Sequence, residues 1–261
     1  MRQEKSVKEK LNKVAQITIY FWIMKVLATT LGETSGDFLS MTCGFGYIAS
    51  LMITLGFFIF MLAMQLKSRS FSPAVYWAVI VGTTSVGTEI SDLMDRTLGL
   101  GYKTGSLILS SLLLITLVVW YYREKNLEVY PIYEKKKEAF YWMAVLFSNS
   151  LGTAFGDFLS DNLGLSYTGG AVVCMGVIAL VIGLHYWTRI NQIVLFWIAF
   201  VFTRPFGATF GDLLTKPVAK GGFNLGTLHA SIVTAFLLAL VLLYMKLDPL
   251  KNIKTENAKA H

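Results

Sequence analysis

Two cysteines, three histidines and five prolines are all that 261 residues contain of those types. Cys43 and Cys174 lie far apart and outside any CxxC spacing, so neither a disulfide framework nor a zinc site is expected. Charge is scarce too: Asp, Glu, Lys and Arg make up 15% of the chain, against about 25% in soluble domains. No GxSxG elbow, HExxH helix, Walker loop or Rossmann fingerprint occurs, so nothing joins a nucleophile to a base or grips a nucleotide, and no enzyme and no cofactor are expected. What is abundant is apolar surface, with 54% hydrophobic residues and a mean hydropathy of +0.56.

Eight apolar segments follow one another, at residues 17–40, 47–66, 74–95, 104–122, 140–161, 167–188, 193–215 and 225–245. Each has about the 20 residues with which a helix crosses roughly 30 Å of hydrocarbon. The bases between them are not spread evenly. Residues 1–16, 67–73 and 123–138, Arg189 and the stretch from Lys246 onward hold 17 of the 23 Lys and Arg residues. With eight spans these segments share one face, and the positive-inside rule makes that face cytoplasmic. The expectation is a single multi-pass membrane domain over residues 1–261 with cytoplasmic tails 1–16 and 246–261, a cytoplasmic loop 123–139 and both termini inside. Lys5, Lys8, Lys10 and Lys13 resemble the n-region of a signal peptide, but no small-x-small cleavage site follows, so a retained first helix is expected. Such basic patches serve topology and anionic lipid; the lipid bilayer is the expected partner, and nucleic acid is not.

The chain repeats itself. Trp22, Trp77, Trp142 and Trp197 each precede by ten residues a glycine, Gly32, Gly87, Gly152 or Gly207. Five residues further on stand Asp37, Asp92, Asp157 and Asp212, each after Gly or Ser, giving W-x9-G-x3-[GS]-D four times. The repeat units fall at residues 17–66, 74–123, 140–189 and 193–246, two spans each. An even number of spans gives all copies one orientation, which predicts four parallel helical hairpins around an axis along the membrane normal. The fold class expected is therefore all-α and polytopic, with eight transmembrane helices and the motif-bearing first helix of each hairpin toward the axis. If the tryptophans mark the cytoplasmic interface, the aspartates form a tier about 22 Å deeper at 1.5 Å per residue.

The stretches TTLGETSGDFLSMTCGFGY, TTSVGTEISDLMDRTLGLGY, NSLGTAFGDFLSDNLGLSY and TRPFGATFGDLLTKP resemble the tandem repeats of a bacterial family labelled uncharacterised membrane-anchored proteins. In that family four repeats of unknown function, each with two transmembrane segments and a tryptophan, make up nearly the whole chain. The resemblance spans residues 19–246; it implies the same fold and a place in the bacterial inner (plasma) membrane, and brings no substrate or catalytic residue.

Function must then be read from the residues. Glycines four apart, as in Gly32-x3-Gly36, Gly152-x3-Gly156 and Gly207-x3-Gly211, let helices approach closely in lipid. A carboxylate in a span costs about 2.5–3.5 kcal/mol on insertion scales and needs a partner, a proton or a cation. Eight of the 16 acids lie in the motifs: Glu33, Asp37, Glu89, Asp92, Asp95, Asp157, Asp161 and Asp212. Several are three or four residues apart and share a helical face, which suits a hard cation or a shared proton. Asp37, Asp92, Asp157 and Asp212 are the candidate ion, proton or metal ligands, with Glu33, Glu89 and Asp161 completing the set. Lys25 and Arg204, within the spans, are candidates to balance their charge by salt bridges. Arg96, Lys103, Lys216 and Lys220 are expected at the external ends. The leading expectation is a small transporter or channel for a cation, a divalent metal such as manganese or a proton-coupled ion. The alternatives are a non-transporting scaffold or accessory subunit whose acids form a salt-bridge lattice, and an organic-cation transporter. Oligomeric state is not legible.

Overall fold

The computed structural model describes residues 12–247; the tail expectations for residues 1–11 and 248–261 lie outside the described residues. Eight long helices and no strand occur among the described residues. They are α1 (Ile19–Asp37), α2 (Gly46–Lys67), α3 (Pro73–Asp92), α4 (Gly101–Glu124), α5 (Lys135–Asp157), α6 (Tyr167–Trp187), α7 (Gln192–Thr215) and α8 (Thr227–Leu247). Their starts carry the usual local signals. The Thr18 hydroxyl accepts from the Phe21 N–H, Pro73 opens α3, Ser166 accepts from Gly169 and Asn191 from Ile193.

The odd-numbered helices carry the motif and form a closed ring in which α1 packs on α3, α3 on α5, α5 on α7 and α7 back on α1. Each second helix lies outside this ring against the first helix of the following copy: α2 on α3, α4 on α5, α6 on α7, and α8 on α1. Four copies thus interlock around one axis, the last handing over to the first. The four outer helices are long and apolar enough to cross a membrane, with only 11–28% of their apolar windows buried. Phe60, Leu114, Leu180 and Phe236 are among the side chains they turn outward, as lipid demands. Of the inner helices α7 alone passes the same test, at 61% buried, because α1, α3 and α5 carry the charges, hydroxyls and glycines of the ring. The protein is a helical membrane protein.

The motif glycines explain how the ring closes. A Cβ on Gly32 would strike the Thr84 side chain, one on Gly87 would lie 2.9 Å from the Ser150 nitrogen, one on Gly152 2.9 Å from Pro205 Cδ, and one on Gly207 would strike Thr29. All four contacts are equivalent: each glycine sits on the neighbouring copy seven or eight residues before that copy's aspartate. The glycines one place before Asp are less crowded, with 3.4 Å to the nearest atom at Gly36, Gly156 and Gly211.

The tryptophans do not mark a lipid interface. Trp77 and Trp142 are at most 2% exposed, Trp197 is buried and Trp22 half-buried. They belong to an aromatic layer in which Phe21 meets Trp77 (5.7 Å between ring centroids) and Tyr76 meets Trp142 (5.3 Å). At fixed register in a ring of helices a large ring fills space between copies, and this packing outweighs the indole preference for headgroups.

Candidate functional site

In the first three copies the helix widens after its aspartate into a π-helical turn, Phe38–Thr42, Leu93–Thr97 and Phe158–Asn162. A glycine with positive φ then turns the chain at Gly44, Gly99 and Gly164. Copy four departs: α7 ends at Thr215, and Pro217 leads into a 3₁₀ turn at Val218–Lys220. There a Cβ on Gly222 would meet the Lys216 backbone, which explains glycine where the other copies have tyrosine. In every copy the acids therefore stand in or beside the last turn of an inner helix. The carbonyl ends of four helices point the same way, and this negative end of the dipole makes anionic side chains costly and cations welcome.

Seven of the eight predicted acids are buried: Glu33, Asp37, Glu89, Asp92, Asp95, Asp157 and Asp212. Asp161 is exposed beside Tyr102 and stands apart. The aspartates do not converge on one point. Carboxylate oxygens of Glu33, Asp37 and Asp212 lie within 4.8 Å of one another, where copies four and one meet. Asp92 and Asp157 form a second group where copies two and three meet, joined by Arg96 at 3.1 Å and 3.3 Å. Lys216 plays the same part for the first group, 3.2 Å from Asp37 and 3.0 Å from Asp212. Arg96, expected as a charge at the external end, and Lys216, expected there and as copy four's positive counterweight to the carboxylates, each occupy the fourth position after their own aspartate and reach the aspartate of the next copy. Alternate copies carrying a base at that one offset was the signal available in the sequence. Asp95 is turned elsewhere, against Gly105 of α4, with the Ser91 hydroxyl 3.3 Å away.

Beneath the carboxylates two cationic side chains cross the axis. Arg204 on α7 is 2.7 Å from Glu33 and also donates to the Thr88 hydroxyl on α3, the helix diagonally opposite; Thr88 donates to Glu33 at 3.1 Å. Lys25 on α1 reaches the diagonal helix α5, donating to Asn149 Oδ1 at 2.6 Å, while Asn149 donates to Thr83 at 2.9 Å. The expectation that both bases pair with acids holds for Arg204 and fails for Lys25, whose ammonium sits over the Phe200 ring at 4.1 Å instead. Lys25 lies twelve residues before its aspartate, about three helical turns, too far for the tier. Thr88 and Asn149 were missed because a hydroxyl or amide in one copy stands where Glu33 or Arg204 stands in another. Arg204 and Lys25 are fully buried, and together with the aromatic layer they fill the axis toward the basic end.

Glu89 has a different environment. It is fully buried, lies 3.4 Å from a Cβ built on Gly36, and has no hydrogen-bond partner for either oxygen among the described residues. Against the seven buried acids the described residues of the tier supply three bases in ion pairs, Arg96, Arg204 and Lys216, so carboxyl groups outnumber bases there.

Four stretches of the chain, residues 20–71, 75–126, 140–191 and 195–247, match the family described as Repeat of Unknown Function (DUF347). No curated protein and no solved structure matches the chain. The matched stretches cover most of the sequence, and the chain belongs to this repeat family.

Proposed function

We propose that this four-repeat protein is a small carrier for a cation, taken up among Glu33, Asp37 and Asp212. The observation that carries the reading is the approach of these three carboxylates to within 4.8 Å at the negative ends of the inner helices. Oxygen ligands of this kind suit a hard ion such as manganese or magnesium, or a proton-coupled ion, and the cluster contains neither His nor Cys to favour a softer metal. Lys216 stands in for the substrate: partly exposed, at 27% for its side chain, it pairs with Asp37 and Asp212 and swings away when a cation arrives. Arg204 then loses part of its attraction to Glu33, and the bars across the axis loosen toward the opposite face. A filled axis favours such a gated carrier over an open pore. In this reading all eight helices span the bacterial inner membrane, the basic face is cytoplasmic with both termini, and the carboxylates face outward.

The test is flux into proteoliposomes carrying a divalent-cation indicator and a pH dye. Wild type should move metal or protons, and Asp212→Asn should move neither while keeping its elution profile. Absence of flux over a broad cation panel in folded, oriented protein would remove the proposal. A second reading, a scaffold held by a salt-bridge lattice, draws on the fact that Arg96, Arg204 and Lys216 each join residues of different copies. It predicts that the same substitution lowers thermal stability and that no cation matters.

A further inference from the structure

At the opposite end of the bundle lies a cleft that cation transport does not use. Its volume is about 430 Å³, and it is lined by Lys13, Lys67, Ser68, Arg69, Tyr133 and Lys135. The fold builds it from three segments. Helix α2 ends at Lys67, and the Ser68 N–H turns back onto the carbonyls of Met64 and Gln65, which leaves Lys67 and Arg69 on the cleft wall. Helix α5 begins at Lys135, after a Glu134 whose side chain caps no N–H, so the first turn presents free donors. The segment before α1 closes the floor: Lys13 N–H donates to the Ile132 carbonyl at 3.0 Å, and Gln65 Nε2 donates to the Lys13 carbonyl at 2.8 Å.

Lys13, read from the sequence as a topology charge in a tail, is instead buried against Glu138. Its ammonium also donates to the Leu66 carbonyl at 3.2 Å, and Gln65 donates to Glu138 Oε1 at 2.9 Å. Glu138 is thus consumed by the floor, and among the described residues no acid lines the cleft. Lys67, Arg69 and Lys135 remain as three exposed bases with no ion pair among the described residues. Three like charges around a concavity repel one another, and an anion relieves that repulsion. The donor set of guanidinium, ammonium groups, the Tyr133 hydroxyl and a helix N-terminus matches the tetrahedral oxygens of phosphate, while the Ser68 hydroxyl is held by the Ser70 carbonyl at 2.6 Å.

We infer that this cleft binds a phosphate group, delivered as the headgroup phosphodiester of an anionic phospholipid or as free phosphate. Position favours the lipid. Exposed Phe60 and Met64 continue along α2 from the cleft rim into the membrane-facing surface, where acyl chains lie.

The experiment uses the full chain in neutral detergent, with native mass spectrometry and thermal unfolding in phosphatidylglycerol, phosphatidylcholine or inorganic phosphate. Phosphatidylglycerol should bind more tightly than phosphatidylcholine. Lys67→Gln/Arg69→Gln/Lys135→Gln should weaken it about a hundredfold, roughly fivefold for each cation removed. The pair Arg123→Gln/Lys246→Gln, elsewhere on the basic face, should change it little, and Arg69→Gln alone serves as a milder variant of the cleft. Displacement of the lipid by millimolar inorganic phosphate would identify free phosphate as a ligand of the same site; lack of displacement would restrict the site to lipid. Equal phosphatidylglycerol binding by wild type and triple variant, or an equal loss in the control pair, would overturn the inference.

Discussion

The ring has four interfaces between copies, built on one motif and one glycine contact, yet among the described residues a base joins the aspartates of neighbouring copies at two of them and not at the other two. Arg96 joins Asp92 to Asp157, and Lys216 joins Asp212 to Asp37. Between copies one and two stands Glu89 without a hydrogen-bond partner among the described residues, and between copies three and four Gly156 packs on Pro205. The difference comes from a single offset, four residues after the aspartate, where the copies carry Met41, Arg96, Asp161 and Lys216. Repetition supplies a four-fold scaffold of helix contacts, and at this one offset a base on alternate copies leaves only two of the four equivalent interfaces bridged. The backbone can keep its symmetry because glycine packing does not depend on that residue, whereas a binding site needs the copies to differ.

Substitutions at these interfaces separate the contribution of charge from that of packing. The largest effect should come from Arg204→Gln, which leaves Glu33 buried without its counter-charge. Removing one partner of a buried pair costs about 3–5 kcal/mol, read as a large fall in the detergent melting temperature. Gly87→Ala should cost about 1–3 kcal/mol through overpacking against backbone, and Gly36→Ala much less, since its Cβ has ordinary room at 3.4 Å. Equal losses at the two positions would show that the glycine contact is not what closes the ring.

Arg96→Gln and Lys216→Gln should each cost about 1 kcal/mol or less, because both bridges are partly solvated. They should part in function: Lys216→Gln alters the cation dependence of flux, and Arg96→Gln, away from the three-carboxylate group, leaves that dependence near wild type. The smallest effect is expected from Met41→Lys, which places a base at the offset that copy one lacks. A gain of a few tenths of a kcal/mol is expected from a new bridge of Asp37 to Asp92. Slower cation flux should accompany it, as a tethered ammonium competes for Asp37.

Much of this was legible in the sequence, for physical reasons that also set the limit. Helical rise fixes the depth of a residue relative to others on its own helix, so the spacing of Trp, Gly and Asp revealed four copies, eight helices and one tier of acids. It does not fix which copies touch. That Glu33 and Asp37 meet Asp212, while Asp92 meets Asp157, follows from ring closure of α7 on α1, a contact between residues some 180 positions apart. Lys25 carried the right charge at the wrong depth and found the Asn149 amide. Lys13 counted correctly as a base on the basic face, but its burial depended on Glu138, 125 residues away. The tryptophans were misplaced because interface preference and core packing leave the same mark in a sequence.

The proposed cation site is the cluster of Glu33, Asp37 and Asp212. It is tested most directly by manganese binding to the purified full chain, followed by electron paramagnetic resonance of the free ion. Wild type and Asp161→Asn should each remove about one manganese ion per chain from solution, in keeping with a single oxygen-ligand site, and Asp212→Asn should remove none. Manganese uptake by Asp212→Asn equal to that of wild type, or no uptake by any of the three, would rule out this cluster as the cation site.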